Sequence, residues 1–194
     1  MKSISLLPDN YKEIMAIDLQ KNKKLMLLVK AIGVAMMLLM VIPAAFAVPI
    51  APLFDMEKGL ASYCSRFAAL IGLMVAYMVL HELVHGAAMK ICGTKKIKYG
   101  FTGMYAFAGS DEYYDKRGYI FIALAPVVLW GVVIAVVNFL VPTEWFWVVY
   151  LLQVINISGA VGDFYVTVRF LPLPKDILIK DYGVGMTVYT KENS

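Results

Sequence analysis

The sequence predicts an all-α membrane protein: four transmembrane helices, with short β segments on the cytoplasmic side. Three observations lead there. Of the 194 residues, 61% are hydrophobic and only 16% are charged, whereas soluble domains are about a quarter charged. Four apolar runs reach the roughly 20 residues needed to cross a bilayer. The charges gather in blocks between those runs, as expected of a chain that crosses a membrane several times.

Residues 1–30 read as a basic cytoplasmic arm. Within it, Tyr11–Leu19 mixes apolar and charged residues and is expected to lie at the interface as a short helix. Residues 31–171 form the transmembrane domain. Its first span, about 31–53, carries Pro43, Pro49 and Pro52 and is expected to kink. Ala45-Phe46-Ala47 resembles a signal-peptidase site, but the polar arm before it is long and the apolar run continues past it, so an uncleaved anchor is expected. The other spans cover about 67–89, 118–140 and 145–170. The last of these opens with Trp145, Trp147 and Tyr150, which suit a membrane interface. Residues 172–194 form a cytoplasmic tail, with a hairpin expected around Asp181-Tyr182-Gly183. The loop Ile97–Arg117 is rich in Gly and Tyr and lacks a helical period. Its stretch Gly100–Ala108 suits a strand or hairpin that dips into the bundle.

Orientation follows from the cations. With the N-terminus cytoplasmic, sixteen of the 18 Lys and Arg lie inside, and only Lys58 and Arg66 fall outside. Both termini are therefore expected in the cytoplasm. The net charge of +4 is explained by topology and contact with anionic lipid, and calls for no nucleic-acid partner. Cys64 and Cys92 fall on opposite sides of the membrane and cannot pair.

The second span contains His81-Glu82-Leu83-Val84-His85, which includes both histidines of the chain. An ionisable side chain at the centre of a bilayer costs roughly 2.5–3.5 kcal/mol, so three within five residues need compensation. On a helix, His-Glu-x-x-His places two imidazoles one turn apart, where both can ligate one Zn2+. Glu82 then sits beside the ion and can take a proton from water. The plainer reading is a polar cluster bonded to neighbouring helices.

Catalytic zinc normally has three protein ligands and an open position. Cys92, seven residues past His85, is about 10 Å further along a continuous helix, too far to share the ion, and reads as a small apolar residue beyond which Gly93 ends the helix. Apart from Glu82, Asp163 is the one acid inside a predicted span. Depth allows it to be the third ligand. At 1.5 Å per residue, His81 to His85 lie about 21–27 Å from the outer end of their span, and Asp163 about 27 Å from the start of its own. Asn156 lies two turns before Asp163, while Gly159 and Gly162 permit close packing or unwinding. Its amide could serve a substrate backbone or an oxyanion, or bond across helices. Gln153, Asn138 and Thr167 read as structural polar contacts.

HELVH in one span, followed two spans later by an aspartate preceded by Asn and glycines, resembles the site-2 protease class of intramembrane zinc metalloproteases. More closely, it resembles the zincin peptidase family of small bacterial membrane proteins. The resemblance covers about residues 64–171. It implies a site-2-protease-like three-helix core, a metal near the cytoplasmic side of the cell membrane, and a β segment that holds substrate extended. Carried over by position, His81, His85 and Asp163 are the zinc ligands, Glu82 is the general base, and Asn156 binds substrate or the oxyanion. Two positions depart from the pattern: Phe164 follows the aspartate where Gly is usual, and Gly159 replaces a common proline.

The resulting expectation is a zinc-dependent peptidase acting on a membrane-protein or peptide substrate in or beside the bilayer. The alternative is a non-catalytic metal-bound scaffold, sensor or accessory subunit. Ion transport fits less well, because no pair of matching broken helices is present and the polar residues cluster at one depth.

Overall fold

The computed structural model describes residues 3–18, 21–103 and 105–192. Leu19 of the expected interfacial helix, Met104 of the expected loop strand and Lys2 of the basic arm lie outside them. The elements in chain order are β1 (Ser3–Ile4), β2 (Tyr11–Asp18), α1 (Lys23–Ala47), α2 (Ala51–Phe54), α3 (Leu60–Ile91), β3 (Lys98–Phe101), β4 (Ala106–Gly109), β5 (Tyr113–Asp115), α4 (Lys116–Leu140), α5 (Thr143–Gly159), α6 (Val161–Phe170), β6 (Leu178–Asp181) and β7 (Gly185–Lys191).

Among the described residues, four helical stretches are long and apolar enough to cross a membrane: α1, α3, α4, and α5 with α6 taken together. The protein is thus a multi-pass membrane protein, and four spans emerge where four were expected. Their ends differ from the sequence reading. The first span starts at Lys23 and stops at Ala47, because Pro49 lies in the break that follows and Pro52 belongs to the separate short helix α2. The second runs from Leu60 rather than Phe67. The fourth breaks at Ala160, between Gly159 and the start of α6.

The all-α class is overturned. The described strands form a five-stranded antiparallel sheet, ordered β1-β5-β6-β7-β2, and a separate β3–β4 hairpin. The expected helix over Tyr11–Leu19 is strand β2, paired with β7 from Tyr11↔Lys191 to Asp18↔Gly185. The register shifts between Glu13 and Met15, leaving Ile14 as a bulge residue. That extra residue interrupts the alternation of faces, so apolar and charged side chains follow no strand period in the sequence. The expected hairpins in the loop and the tail are both present, as β3–β4 and β6–β7.

The chain divides into two compact units. One comprises Met1–Val29, His81–Pro126 and Gly162–Ser194. Its core packs Ile177, Ile179 and Val188 of the sheet region against Ala88 and Met89 of α3, Tyr119 and Ile122 of α4, and Val166 and Phe170 of α6. Burial of such side chains, about 1.5–3 kcal/mol each, fixes the helix ends on the sheet. Cys92 is buried in this core as a free thiol and Cys64 is exposed. Gly93, at φ +99°, ends α3: its N–H bonds the Lys90 carbonyl at 2.9 Å and that of Thr94 bonds Met89 at 3.1 Å. A left-handed residue at this place is what lets both terminal carbonyls be satisfied.

The other unit comprises Lys30–Leu80 and Val127–Val161. Trp147 Nε1 donates to the Pro49 carbonyl at 2.9 Å, and Tyr150 Oη to Met40 at 3.0 Å. The buried Arg66 donates to the carbonyls of Leu53 and Asp55, groups at the end of α2. Asn156 is fully buried. Its Oδ1 accepts from Tyr77 Oη at 2.8 Å, and its Nδ2 donates to the Val127 carbonyl at 3.1 Å. Replacing Asn156 with Leu removes both bonds and should lower stability by about 1–3 kcal/mol, visible as a lower Tm in detergent with zinc content retained.

Candidate metal centre

The first unit brings three donors from two distant parts of the sequence together. His81 and His85 lie one turn apart on α3, with ring centroids 4.8 Å apart and planes at 78°. Asp163 comes from the first turn of α6. The break at Ala160 creates that helix start, and the N-terminal end of a helix favours a carboxylate. His81 Nε2 lies 3.5 Å from Asp163 Oδ2, and His85 Nε2 lies 3.6 Å from Oδ1. One ligand atom from each of the three lies within 4.8 Å of the others.

These separations test the fit of a metal. They exceed the 2.7–3.2 Å of a hydrogen bond, so the imidazoles are not simply bonded to the carboxylate. A tetrahedral zinc with bonds near 2 Å spaces its ligands at roughly 3.3 Å, close to both His–Asp distances. Two imidazoles and one carboxylate also form a known catalytic donor set that leaves a fourth position open. The residues present fit the ion.

Three further groups converge here, none assigned a site role from the sequence. His85 Nδ1 lies 2.9 Å from the carbonyl of Ile122 in α4. Pro126, four residues later in the same helix, has no N–H to occupy that carbonyl. The carbonyl is therefore available to accept from Nδ1–H, which leaves Nε2 as the ligand nitrogen. A proline inside a predicted span was the available signal. The second group is the backbone N–H of Ala108, on β4, which approaches the Glu82 carboxylate.

The third group is Asp181, at the end of β6. Its carboxylate accepts from Tyr119 Oη at 2.6 Å and from the Gly183 N–H at 2.7 Å, and its carbonyl accepts from the Ser110 N–H at 2.8 Å. Gly109 passes so close to this turn that a Cβ would stand 2.5 Å from the Gly183 nitrogen. Asp181 thus anchors the end of the strand that reaches Glu82. Burial pushes its carboxyl above the usual carboxylate range, against the lowering effect of its two donors.

The His-Glu-x-x-His pair with a distant aspartate, on helices of membrane length, defines a zinc metallopeptidase of the HExxH type within a multi-pass membrane protein. The family model described as "Putative zincin peptidase" matches residues 74–178, and the chain belongs to that family. No curated protein and no solved structure matches it. The matched stretch holds the motif and Asp163 but stops short of Asp181.

Pro126→Ala restores a competing N–H for the Ile122 carbonyl and should weaken zinc affinity about tenfold, measured by competition with a chromophoric chelator. Asp181 supplies a pH test in metal-free protein. With its pKa raised on folding, it favours the folded state below the ordinary Asp value, and that contribution is lost as pH rises through the raised one. Asp181→Asn should therefore flatten the decline of Tm as pH rises above the ordinary Asp value of about 4, followed by circular dichroism.

Proposed function

We propose that this metallopeptidase hydrolyses a peptide bond of a membrane-protein or peptide substrate, in or beside the bilayer near its cytoplasmic face, in the manner of the site-2 proteases. The location proposed is a bacterial cell membrane with both termini cytoplasmic, as supported by the strong cation bias along the chain. The observation that carries the reading is the convergence of His81, His85 and Asp163 beside Glu82 on helices of membrane length.

His81, His85 and Asp163 are the proposed zinc ligands. Bound zinc would supply Lewis acidity for the scissile carbonyl and lower the pKa of water there towards about 7. Glu82 is the proposed general base: its carboxylate takes a proton from the attacking water and delivers it to the leaving amine nitrogen. The Ala108 N–H lies beside that carboxylate. A substrate helix must unwind before it can be cut, and the hairpin around Gly100–Ala108 is the proposed surface for pairing with the opened segment. Asn156, proposed as a substrate or oxyanion donor, has one amide hydrogen left after its bond to Val127.

Purified protein should carry about one zinc per chain, as a single site requires. His81→Ala and Asp163→Ala should lose it, by elemental analysis. Glu82→Gln should keep the metal and lose cleavage. Membrane proteomics of wild type against Glu82→Gln should reveal a fragment that accumulates only with the glutamate present. Identical fragment patterns, with zinc bound in both proteins, would sink the peptidase reading in favour of a metal-bound scaffold.

A further inference from the structure

An open cavity of about 710 Å³ lies in the first unit, between the chain entering α1 and the last turn of α6. Cations dominate its wall: Lys21 from the turn before α1, Lys23 and Lys24 from the start of α1, and Arg169 from the end of α6. The one carboxylate in the lining, Asp18, faces Lys21, accepting its backbone N–H at 3.0 Å with Nζ 3.5 Å away. Among the described residues, no carboxylate forms an ion pair with Lys23, Lys24 or Arg169. Arg169 instead has its Nη2 3.8 Å from the sulfur of Met15, a weak acceptor. Three cations around one cavity repel unless an anion lies among them.

The rest of the lining is less polar. Leu25 and Tyr165 form part of the wall, and just beyond it Leu27 and Leu28 of α1 are exposed. Lys23 and Arg169 mark the ends of two membrane-length helical stretches, so the cavity sits at headgroup level. Asn22 Oδ1 accepts the Leu25 N–H at 3.0 Å and caps the first turn of α1, so the anion-binding capacity comes from side chains rather than from the helix terminus. The volume lies in the range of small-molecule sites. Arg169 offers paired N–H donors suited to phosphate oxygens, and the lysines add point charges.

We propose that this cavity binds the phosphate headgroup of an anionic glycerophospholipid, with the acyl chains running along the exposed apolar face of α1 at Leu27 and Leu28. The site is separate from the metal centre and does not depend on the peptidase reading. It would seat the chain on a particular class of lipid rather than on the diffuse negative potential of the leaflet.

The full chain, reconstituted in nanodiscs of phosphatidylcholine containing increasing phosphatidylglycerol, tests this by native mass spectrometry of the retained lipid. Wild type should keep one phosphatidylglycerol. Lys23→Ala/Lys24→Ala/Arg169→Ala should weaken retention by up to about a hundredfold, since each cation near a lipid surface is worth about a factor of five. Lys95→Ala/Lys96→Ala/Lys175→Ala, which removes the same charge elsewhere, should change nothing. Equal loss in both triple variants, or no loss in the first, overturns the proposal. Displacement by soluble glycerol phosphate at matched concentration would make the site one for a free phosphate ester and overturn the lipid assignment. Zinc content and Tm report folding. Should the triple variant not fold, Arg169→Lys, which keeps charge but removes the paired donors, should still retain less lipid. Wild-type retention in that variant counts against the proposal.

Discussion

Ionisable groups on an apolar helix must satisfy one another or be satisfied by something bound. That constraint shapes the first unit around α3. His81 and His85 face a carboxylate at distances too long for hydrogen bonds and suited to a shared ion, and Glu82 lies beside an N–H of the neighbouring strand. Each partner arrives from a different part of the chain. Asp163 depends on the break between α5 and α6, the Ile122 carbonyl on Pro126, and the Ala108 N–H on the β3–β4 hairpin. Irregularities that weaken a helix or strand in isolation are the features that aim these groups.

The sheet provides the frame. Its five strands come from the N-terminal segment, the loop between α3 and α4, and the C-terminal segment. One core joins the sheet region to the ends of α3, α4 and α6, which fixes where those helices stop. The hairpin that touches Glu82 is held in turn by the Asp181 turn, through Ser110 and the close approach of Gly109. A residue about 100 positions from the motif thereby bears on the placement of its glutamate.

Much of this was legible in the sequence. Long apolar runs have few alternatives in water, and HELVH has a chemical reason for its spacing, so four spans and the metal-binding pair could be read directly. Asp163 followed because an acid within a span is costly and its depth matched. The sheet was largely hidden. Its strands are short, two of its four pairings, β1–β5 and β2–β7, span more than 100 residues, and the bulge at Ile14 removes the alternation that would mark β2. The Ile122 carbonyl and the Ala108 N–H belong to the backbone, which no side-chain pattern reveals. Asp181 looked like a turn residue because its partners, Tyr119 and Ser110, lie far away in sequence.

The pairing of β2 with β7 carries a consequence for biogenesis. Tyr11 meets Lys191, so β2 is synthesised long before the segment it pairs with. Until residues 185–191 emerge, β2 keeps an open edge and β6 lacks one of its two neighbours. The turn carrying Asp181 closes only with that final strand. A nascent chain already threaded through the membrane therefore carries its motif without the support behind Glu82, and a hydrolase made this way matures only once residues 185–191 have been added.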